Sequence, residues 1–397
     1  MTENSSTQYD VIIVGSGVMG SAIAYNLIKQ NDKLSIALVE RDTTFEKSST
    51  VLSDGNVRVQ FNLPANIQIS LYGLKVLETF AEDMAIEGQQ PIDYGFRQQG
   101  NLFISDAKGV KHAHEGLKVQ KAHGCDVEWL EPEQVKEIYP IFDPASCSGG
   151  TFGPLDGTMS PLDILLGYRK KALDLGVTAV NEAVADFLAE DGEMRGVRLA
   201  SGQVLNSPVV VNTAGVWATD LLKGIGVDIP VKSIKRETYS ISGPESFDKI
   251  LPMLLLPTGQ YLLHEGGNHY LTGGAGPNDP ETTTDFSWNK QRFEDHFWER
   301  LIYFVPSFDR LKLINGWSGL YAINDFDGNA ILGEWPEVKG LFLANGFSGH
   351  GFQQGHGVGR YLADLILGSS LELDLSVLAP DRILNNKPVF ENPARLI

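Results

Sequence analysis

The chain has 397 residues, of which 42% are hydrophobic and 21% charged, and its formal net charge is −18. This length exceeds one ordinary hydrophobic core and predicts two domains, while the negative charge argues against nucleic acid and anionic membrane surfaces as partners. Two cysteines, Cys125 and Cys147, make neither a disulfide framework nor a zinc site, so no metal is expected. No apolar run approaches the roughly 18 residues of a membrane span, and the N-terminus shows no secretory signal, so we expect a cytoplasmic location.

The first recognisable unit is a strand, a glycine-rich turn and a helix. Val11–Val14 is a short apolar run, followed by the turn GSGVMG over 15–20 and a helix from Ser21 onward. In this GxGxxG spacing the first glycine permits the turn, the second lets the backbone approach a pyrophosphate, and the third allows close packing of helix and strand. A second strand over 34–39 ends on Glu40, where an acid can bind an adenosine ribose hydroxyl. An ordinary α/β turn without a ligand is the alternative, which this context disfavours.

The middle of the chain changes pattern more than once. Residues 41–60 form an irregular segment long enough to be functional. Helical periodicity predicts a helix over 65–87 and, after a capping serine and a proline, another over 161–176. Between these helices, and again over 230–310, short strands and exposed helices indicate a second domain. The predicted strands of the later stretch are 239–242, 260–264 and 269–273, followed by a helix over 288–304.

The last part of the chain returns to the first pattern. A buried strand over 341–345 is followed by a glycine turn over 346–351 and a helix over 358–367. A second helix N-terminus, with its positive dipole end, is therefore expected to face a ligand.

Four separated stretches resemble the flavin-dependent D-amino acid oxidase superfamily, which includes sarcosine oxidase, glycine oxidase and dimethylglycine dehydrogenase. They are VIIVGSGVMG with Glu40, SSTVLSDGNVR at 48–58, VVVNTAGVWA at 209–218, and DGNAILG followed by ANGFSGHGFQQGHGVG within 327–359. Residues 49–70 look most like the FAD-dependent oxidoreductase domain-containing group, which is similar to sarcosine and dimethylglycine dehydrogenases.

The resemblance implies an α/β fold with two domains. One is a glutathione-reductase-like, FAD-binding Rossmann domain assembled from 1–93, 151–230 and 315–397. The other is a mainly antiparallel-sheet substrate domain assembled from 94–150 and 231–314. These divisions follow the changes of pattern along the sequence.

The resemblance also implies which residues hold FAD. The glycine turn would bind the pyrophosphate, Glu40 the adenosine ribose and the backbone of Val184 the adenine. The start of the last helix would face the flavin N1 and O2 and stabilise the anionic reduced flavin. For the loop over 49–53, solvation without a ligand is the alternative. The predicted cofactor-binding residues are Gly15, Ser16, Gly17, Val18, Met19, Gly20, Glu40, Arg41, Ser49, Thr50, Leu52, Ser53, Val184, Ala214, Gly215, Trp217, Gly349, His350, Gly351, Phe352 and Gln353.

Some sarcosine oxidases attach their flavin through a cysteine in the stretch that matches Trp317. No cysteine follows Cys147 in this chain. FAD is therefore expected to be bound non-covalently.

The substrate-binding positions depart from the family pattern. Sarcosine oxidases have an arginine where this chain has Phe61 and a lysine where it has Gln353. Glycine and D-amino acid oxidases use an arginine in the stretch matching 317–327, where Tyr321 is nearest. Neither carboxylate clamp is present, and a buried carboxylate without a partner would be costly. Either another cation binds a substrate carboxylate or the substrate lacks one there.

The candidate cations are Arg58, Lys235, Arg236 and His264. The family's matching arginine packs against the flavin, so the same is expected of Arg58, while Lys235 and Arg236 are as readily surface charges. His264 lies on a predicted strand and is either a structural or a site histidine. The predicted catalytic or substrate-contacting residues are Tyr321, His264, Gln353, Arg58 and Tyr261.

The chemistry implied is removal of a hydride equivalent from the carbon next to an amine nitrogen, followed by hydrolysis of the imine. The first interpretation is oxidation of a secondary amine, such as an N-alkyl or N-carboxyalkyl glycine, with oxygen or another electron acceptor. The alternatives are a primary D-amino acid or glycine oxidase and a flavin-bearing assembly factor without turnover. An NAD-dependent dehydrogenase would leave the C-terminal GFSGHG stretch unexplained. The oligomeric state stays open.

Overall fold

The computed structural model describes residues 7–391, so residues 1–6 and 392–397 of the predicted FAD-binding segments lie outside the described part. The strands are β1 (Thr7–Gln8), β2 (Val11–Val14), β3 (Ile36–Val39), β4 (Asn56–Val57), β5 (Asn101–Ser105), β6 (Glu128–Leu130), β7 (Gly149–Gly153), β8 (Gly157–Thr158), β9 (Thr178–Val180), β10 (Val184–Glu190), β11 (Glu193–Leu199), β12 (Val204–Asn206), β13 (Val209–Asn212), β14 (Val231–Phe247), β15 (Met253–Leu255), β16 (Gln260–Gly274), β17 (Lys312–Asn324), β18 (Ile331–Glu334) and β19 (Leu341–Asn345).

The helices are α1 (Val18–Gln30), α2 (Pro64–Leu77), α3 (Phe80–Asp83), α4 (Val110–Ala122), α5 (Pro132–Ile138), α6 (Pro161–Asp174), α7 (Ala218–Lys223), α8 (Lys290–Arg292), α9 (Glu299–Phe304), α10 (Gly351–Leu367) and α11 (Asp381–Leu384). A π-helical turn, Phe293–Trp298, joins α8 to α9. Short 3-10 turns are Pro144–Ser146, Gly215–Trp217, Pro306–Arg310 and Ser376–Leu378. None of the helices within the described range is long and apolar enough to cross a membrane.

A six-stranded sheet carries the N-terminal glycine turn. Its strand order is β18-β19-β13-β2-β3-β9, and all neighbours are parallel except β18, which runs antiparallel to β19. Helices α1, α2, α6 and α10 pack on one face, and the sheet β1-β12-β11-β10 packs on the other. Because both faces are covered, β2, β3 and β19 read as continuous apolar runs rather than alternating ones. The predicted α/β class is confirmed.

A seven-stranded sheet lies above the carboxyl ends of these parallel strands. Its order is β17-β14-β16-β15-β5-β7-β6, antiparallel throughout except for the β15–β5 pair. The three separate strands predicted over 239–273 are wrong in extent. Residues 239–242 are the middle of β14, and 260–274 form one strand, because Gly266 and Gly267 take positive φ within the strand instead of ending it.

Two predicted domain boundaries fall inside strands of the seven-stranded sheet. Residue 151 lies in β7, and residue 315 lies in β17, which pairs with β14 from Lys312 to Asn324. We retain the two-domain division as a proposal, with the boundaries moved to the ends of β7 and β17.

One buried histidine, His356, packs among the helices that cover one face of the six-stranded sheet. We expect it to make the stability of the fold sensitive to acid. It is buried in α10, where the Tyr168 hydroxyl hydrogen-bonds to Nδ1 at 2.7 Å. Burial lowers the pKa of the His356 imidazole to about 4, below the value of about 6.5 expected in the unfolded chain. A histidine held neutral by folding contributes its stability above the unfolded pKa, and this contribution is lost as the pH falls toward the folded pKa.

We therefore expect the free energy of unfolding to fall by on the order of 2 kcal/mol between pH 7 and pH 5 because of His356 alone. The variant His356→Gln should have lower stability at pH 7 and a shallower loss between the two values. Urea unfolding of FAD-saturated protein at both pH values measures this. Parallel pH dependence of the variant and the wild-type chain would contradict the assignment.

Candidate functional site

A cavity of about 450 Å³ lies where the carboxyl ends of the parallel strands meet the seven-stranded sheet. In open α/β sheets this edge is the usual place for a ligand. The predicted cofactor residues that line it are Gly15, Gly17, Val18, Met19, Glu40, Arg41, Ser49, Thr50, Ser53, Val184, Ala214, Gly215, Trp217, Gly349, Gly351 and Phe352. A smaller cavity of about 80 Å³ adjoins it and shares four of its lining residues, namely Ser53, Tyr321, Gly349 and Phe352.

The glycine turn has the conformation that its sequence predicts. Gly15 has φ of +99°, and an added Cβ on Gly20 would lie 1.9 Å from the carbonyl oxygen of Gly15. Two residues of the turn, Ser16 and Gly20, do not line the cavity. The Ser16 N–H donates to Glu40 Oε2 at 2.8 Å, so the carboxylate at the end of β3 is held against the turn.

Gly17 differs from the other glycines of the turn because it lines the cavity and an added Cβ would meet only side-chain hydroxyls, not backbone. Its φ of −60° and ψ of −175° suit any residue. The nearest atom to an added Cβ is Thr50 Oγ1 at 3.3 Å, and the same hydroxyl accepts a hydrogen bond from Val18 N–H at 3.2 Å. The loop over 49–53, predicted to contact the ligand, is therefore hydrogen-bonded to the start of α1. The part of the cavity beside Gly17, here called the Gly17 cradle, would be filled by a side chain at position 17.

One end of the larger cavity is flanked by an arginine stacked on an indole. Arg41 Cζ lies 3.6 Å from the centroid of the Trp217 ring. Val184, on β10, lines the cavity near the same end. Lys47 also lines this cavity, together with the acids Glu40, Asp42, Glu182 and Asp220.

The other end is formed by the start of α10. Gly349 has φ of +94°, and an added Cβ would lie 2.6 Å from the Tyr321 ring. His350 is the N-cap residue, and its side chain does not cap the helix. Instead, its Nε2 lies 3.2 Å from Arg58 Nη2 and accepts from it. Backbone N–H groups at this helix start can therefore stabilise negative charge on a ligand.

Arg58 and His350 form the floor of the smaller cavity. The Arg58 guanidinium lies between the rings of Phe61 and Phe103, at 4.8 and 5.4 Å from their centroids. Burial, together with the Arg58 charge, lowers the pKa of the His350 imidazole to about 3. His350 is therefore neutral at physiological pH and serves as a hydrogen-bond acceptor for Arg58.

Arg236 brings a second guanidinium to the smaller cavity. It forms an ion pair with Asp279, which also pairs with Arg292. Its Cζ lies 5.9 Å from the Tyr321 ring centroid. Tyr261 lines the same cavity, and its hydroxyl shares a hydrogen bond of 2.9 Å with Thr238 Oγ1.

His264 does not belong to the site, contrary to expectation. It is fully buried and lines neither cavity. Its Nδ1 accepts from the Leu251 N–H at 2.9 Å, its Nε2 lies 3.1 Å from the Gly267 carbonyl oxygen, and its ring packs on Tyr270. Both ring nitrogens are therefore occupied by the backbone of the seven-stranded sheet, and we omit His264 from the proposed substrate site.

Three further candidates have positions that differ from expectation. Leu52 lines neither cavity, and its carbonyl accepts from Trp317 Nε1 at 3.1 Å. The Gln353 amide oxygen accepts from the Arg58 N–H at 2.8 Å, so Gln353 lines the smaller cavity while positioning Arg58. Lys235 lines neither cavity, because successive side chains of β14 alternate in direction, and its ammonium pairs with Asp285.

The sequence reasoning missed several residues of the site. Lys47 and Asn345 line the larger cavity, and Asp54 lines the smaller one. Asp54 lies within the SSTVLSDGNVR stretch, so a charged residue inside a ligand-contacting loop was the available signal. Among residues 7–391, no group of three or more His, Cys, Asp and Glu side chains is arranged to hold a metal ion.

Comparisons with known proteins agree with this geometry. A family model described as FAD dependent oxidoreductase (DAO) matches residues 10–365. FAD-dependent oxidoreductase domain-containing protein 1 of Xenopus laevis is 32% identical over 418 residues, covering 96% of this chain and 84% of that protein. Sarcosine oxidase subunit beta of Arthrobacter sp is 25% identical over 374 residues, covering 90% of this chain and 87% of that one.

A solved structure, L-proline dehydrogenase from P.horikoshii, matches with a TM-score of 0.85 and 24% identity over 97% of this chain and 100% of that chain. The residues of the larger cavity fit the cofactor of the matched family, because the Gly17 cradle, the Glu40 carboxylate and two helix starts lie around one elongated space. The chain belongs to the family of FAD-dependent oxidoreductases, and FAD is its cofactor.

Proposed function

We propose that this protein oxidises a secondary amine that also carries a carboxylate, an N-alkyl or N-carboxyalkyl amino acid, at the carbon next to the nitrogen. The observation that carries the proposal is the smaller cavity, where two guanidinium groups and two tyrosines adjoin the larger cavity. The similar sarcosine oxidase subunit acts, by its name, on sarcosine, a secondary amine with a carboxylate.

FAD would be held non-covalently by the turn over 15–20, by Glu40 and by the start of α10. When bound, FAD supplies the acceptor for the hydride removed from the carbon beside the amine nitrogen. The chain itself must bind the substrate, orient that C–H bond and exclude water. Holding the reacting atoms in the right geometry lowers the barrier of the reaction.

Arg236 is the residue that would bind the substrate carboxylate. The chain carries a net charge of −18, so an anionic group needs a local cation to enter. Arg236 lines the cavity and can exchange Asp279 for a ligand, because Asp279 keeps Arg292 as its partner. A planar guanidinium binds a carboxylate through two parallel hydrogen bonds.

Tyr321 and Tyr261 would donate hydrogen bonds to the substrate. Burial raises the pKa of both hydroxyls. They therefore stay protonated at physiological pH and keep their donors. Neutral His350 accepts a hydrogen bond from Arg58 and so fixes the position of its guanidinium. Arg58 and His350 would then form the wall of the cavity that contacts the substrate.

We expect Arg236→Met to lower kcat/KM for carboxylate-bearing amines by about 10- to 100-fold, because a charge-assisted hydrogen-bond pair is lost. The matched control is Lys235→Met, which removes the neighbouring cation of β14 and its ion pair with Asp285 without touching the smaller cavity. Its kcat/KM should stay within a few-fold of the wild-type value. Equal losses in the two variants would assign the effect to the packing of β14 rather than to carboxylate binding.

Turnover assays test the function itself. FAD-loaded protein is given N-methylglycine, other N-alkyl amino acids or primary amino acids of either hand, with an artificial electron acceptor, and the carbonyl products are measured. We expect product from the N-alkyl compounds. Product from primary amino acids alone would contradict the secondary-amine proposal and favour the alternative of a primary amino acid oxidase.

A further inference from the structure

The smaller cavity contains an acid that has no cationic partner. Asp54 is half-buried and lines this cavity together with Arg58 and Arg236. Among residues 7–391, no lysine, arginine or histidine nitrogen lies within 4.0 Å of its carboxylate, whereas Arg236 is paired with Asp279. The Asp54 carboxylate therefore borders the cavity proposed for substrate without a direct ion pair to a described residue, although the Arg58 charge acts on it.

The loop holds Asp54 in this place. The Asn56 N–H donates to Asp54 Oδ1 at 3.2 Å, and the Gly55 N–H donates to the Ser53 hydroxyl at 3.0 Å. Asn56 then begins the short strand that pairs with β8. A carboxylate held in this way keeps oxygen lone pairs that can accept a hydrogen bond from a ligand in the cavity.

We infer that Asp54 binds the ammonium group of the substrate, so that the site selects zwitterions with the amine on Asp54 and the carboxylate on Arg236. This inference rests on the proposed function and deepens it by assigning a residue to the amine. It also supplies a route for one proton. Hydride removal needs a free nitrogen lone pair, and the bound ammonium can give its proton to the Asp54 carboxylate: one N–H bond breaks, one O–H bond forms, and no electrons are lost.

The electrostatic surroundings of Asp54 suit this role. Burial raises the pKa of the Asp54 carboxyl, which makes it a better proton acceptor, while the Asn56 N–H and the Arg58 charge act in the opposite direction. The position of the carboxylate carries the assignment, because it lies at the wall of the smaller cavity and has no cationic partner within 4.0 Å among residues 7–391.

The alternative is that Asp54 only shapes its loop by accepting the Asn56 N–H. The variant Asp54→Asn separates these roles, because an asparagine side-chain oxygen can still accept that hydrogen bond and only the charge is lost. Glu265→Gln is the matched control. Glu265 is the other nearby acid, but it pairs with Arg97 at 3.1 Å and lines neither cavity.

The experiment compares ligands that differ only in the amine. N-methylglycine is paired with butanoate, and L-proline with cyclopentanecarboxylate. The FAD-loaded protein is first reduced with dithionite under argon so that no ligand turns over, and dissociation constants are measured by calorimetry. We expect Asp54→Asn to weaken binding of the amines by about 10- to 100-fold and to tighten binding of the two simple carboxylates. Glu265→Gln should change neither.

Opposite signs for the two ligand classes establish the charge role, which a structural role would not produce. Equal changes, or none, in Asp54→Asn would overturn the inference and leave the proposed function standing. If the wild-type chain, loaded with FAD, binds neither N-methylglycine nor L-proline nor any other N-alkyl amino acid, the proposed function fails and this inference fails with it.

Discussion

Replacing Gly17 by leucine is expected to abolish FAD binding while leaving the chain folded. The backbone at Gly17 has φ of −60°, which an L-residue adopts without strain, and an added Cβ has its nearest neighbour, Thr50 Oγ1, at 3.3 Å. A leucine side chain would occupy the space where the pyrophosphate approaches the turn. The FAD affinity should fall by at least about 100-fold, which corresponds to the upper end of the roughly 1–3 kcal/mol that overpacking costs, so that flavin is lost during purification.

The matched control for Gly17→Leu is Gly224→Leu. Gly224 is exposed, has φ of −58° and lies outside the FAD cavity. Both variants should keep wild-type circular dichroism and unfold cooperatively, and only Gly17→Leu should be purified without the yellow colour of flavin. Full flavin content in Gly17→Leu would refute the role of the turn.

Replacing Gly20 by alanine is expected to damage the fold itself. An added Cβ would lie 1.9 Å from the Gly15 carbonyl oxygen and 2.7 Å from Thr213 Oγ1, and the first of these is backbone that cannot turn away. The free energy of unfolding should fall by on the order of 3 kcal/mol, because helix α1 must move off the strand. Urea unfolding of the protein without added FAD measures this loss directly.

Gly73→Ala is the control for this second substitution. Gly73 lies in α2, and an added Cβ there meets its nearest atoms at 3.5 Å, an ordinary contact distance. This change should be neutral or stabilising by up to about 1 kcal/mol, because alanine favours helix. A stability of Gly20→Ala equal to that of Gly73→Ala would show that the turn can relax and would contradict the packing argument.

Local patterns explain why much of the FAD site could be predicted from sequence. Gly15, Gly17 and Gly20 all lie in the turn that joins β2 to α1, so their spacing carries most of the information, although Thr213 also packs against Gly15 and Gly20. Glu40 follows from the same unit, since the next parallel strand must end beside the turn, and the structure brings its carboxylate to the Ser16 N–H.

Long-range pairing explains what the sequence could not provide. His264 could contact a ligand only if one of its ring nitrogens were available. Backbone groups of residues 251 and 267 occupy both nitrogens. Arg236 and Lys235 are neighbours with equal charge, and only the alternation of β14 separates the cavity side from the opposite side. The register of that strand is set by pairing with β16 and β17, far away in sequence.

Asp54 and Gln353 show a further limit of motif reasoning. Both lie inside stretches that resemble the family, and at both the chemistry depends on three-dimensional partners. Gln353 uses its amide oxygen to hold the Arg58 backbone, whereas the Asp54 carboxylate, which accepts from the Asn56 N–H, also borders the smaller cavity. A sequence pattern locates such residues near a ligand but does not show which of their atoms remain available.

The most direct test of the central claim is the visible spectrum of the purified, FAD-reconstituted protein during anaerobic addition of amines. We expect a flavin band that is bleached by N-alkyl amino acids and unchanged by primary D-amino acids. Admitting air afterwards then reports whether oxygen accepts the electrons. Absence of a flavin band after reconstitution, or a band that no N-alkyl amino acid bleaches, would contradict FAD-dependent oxidation of a secondary amine by this protein.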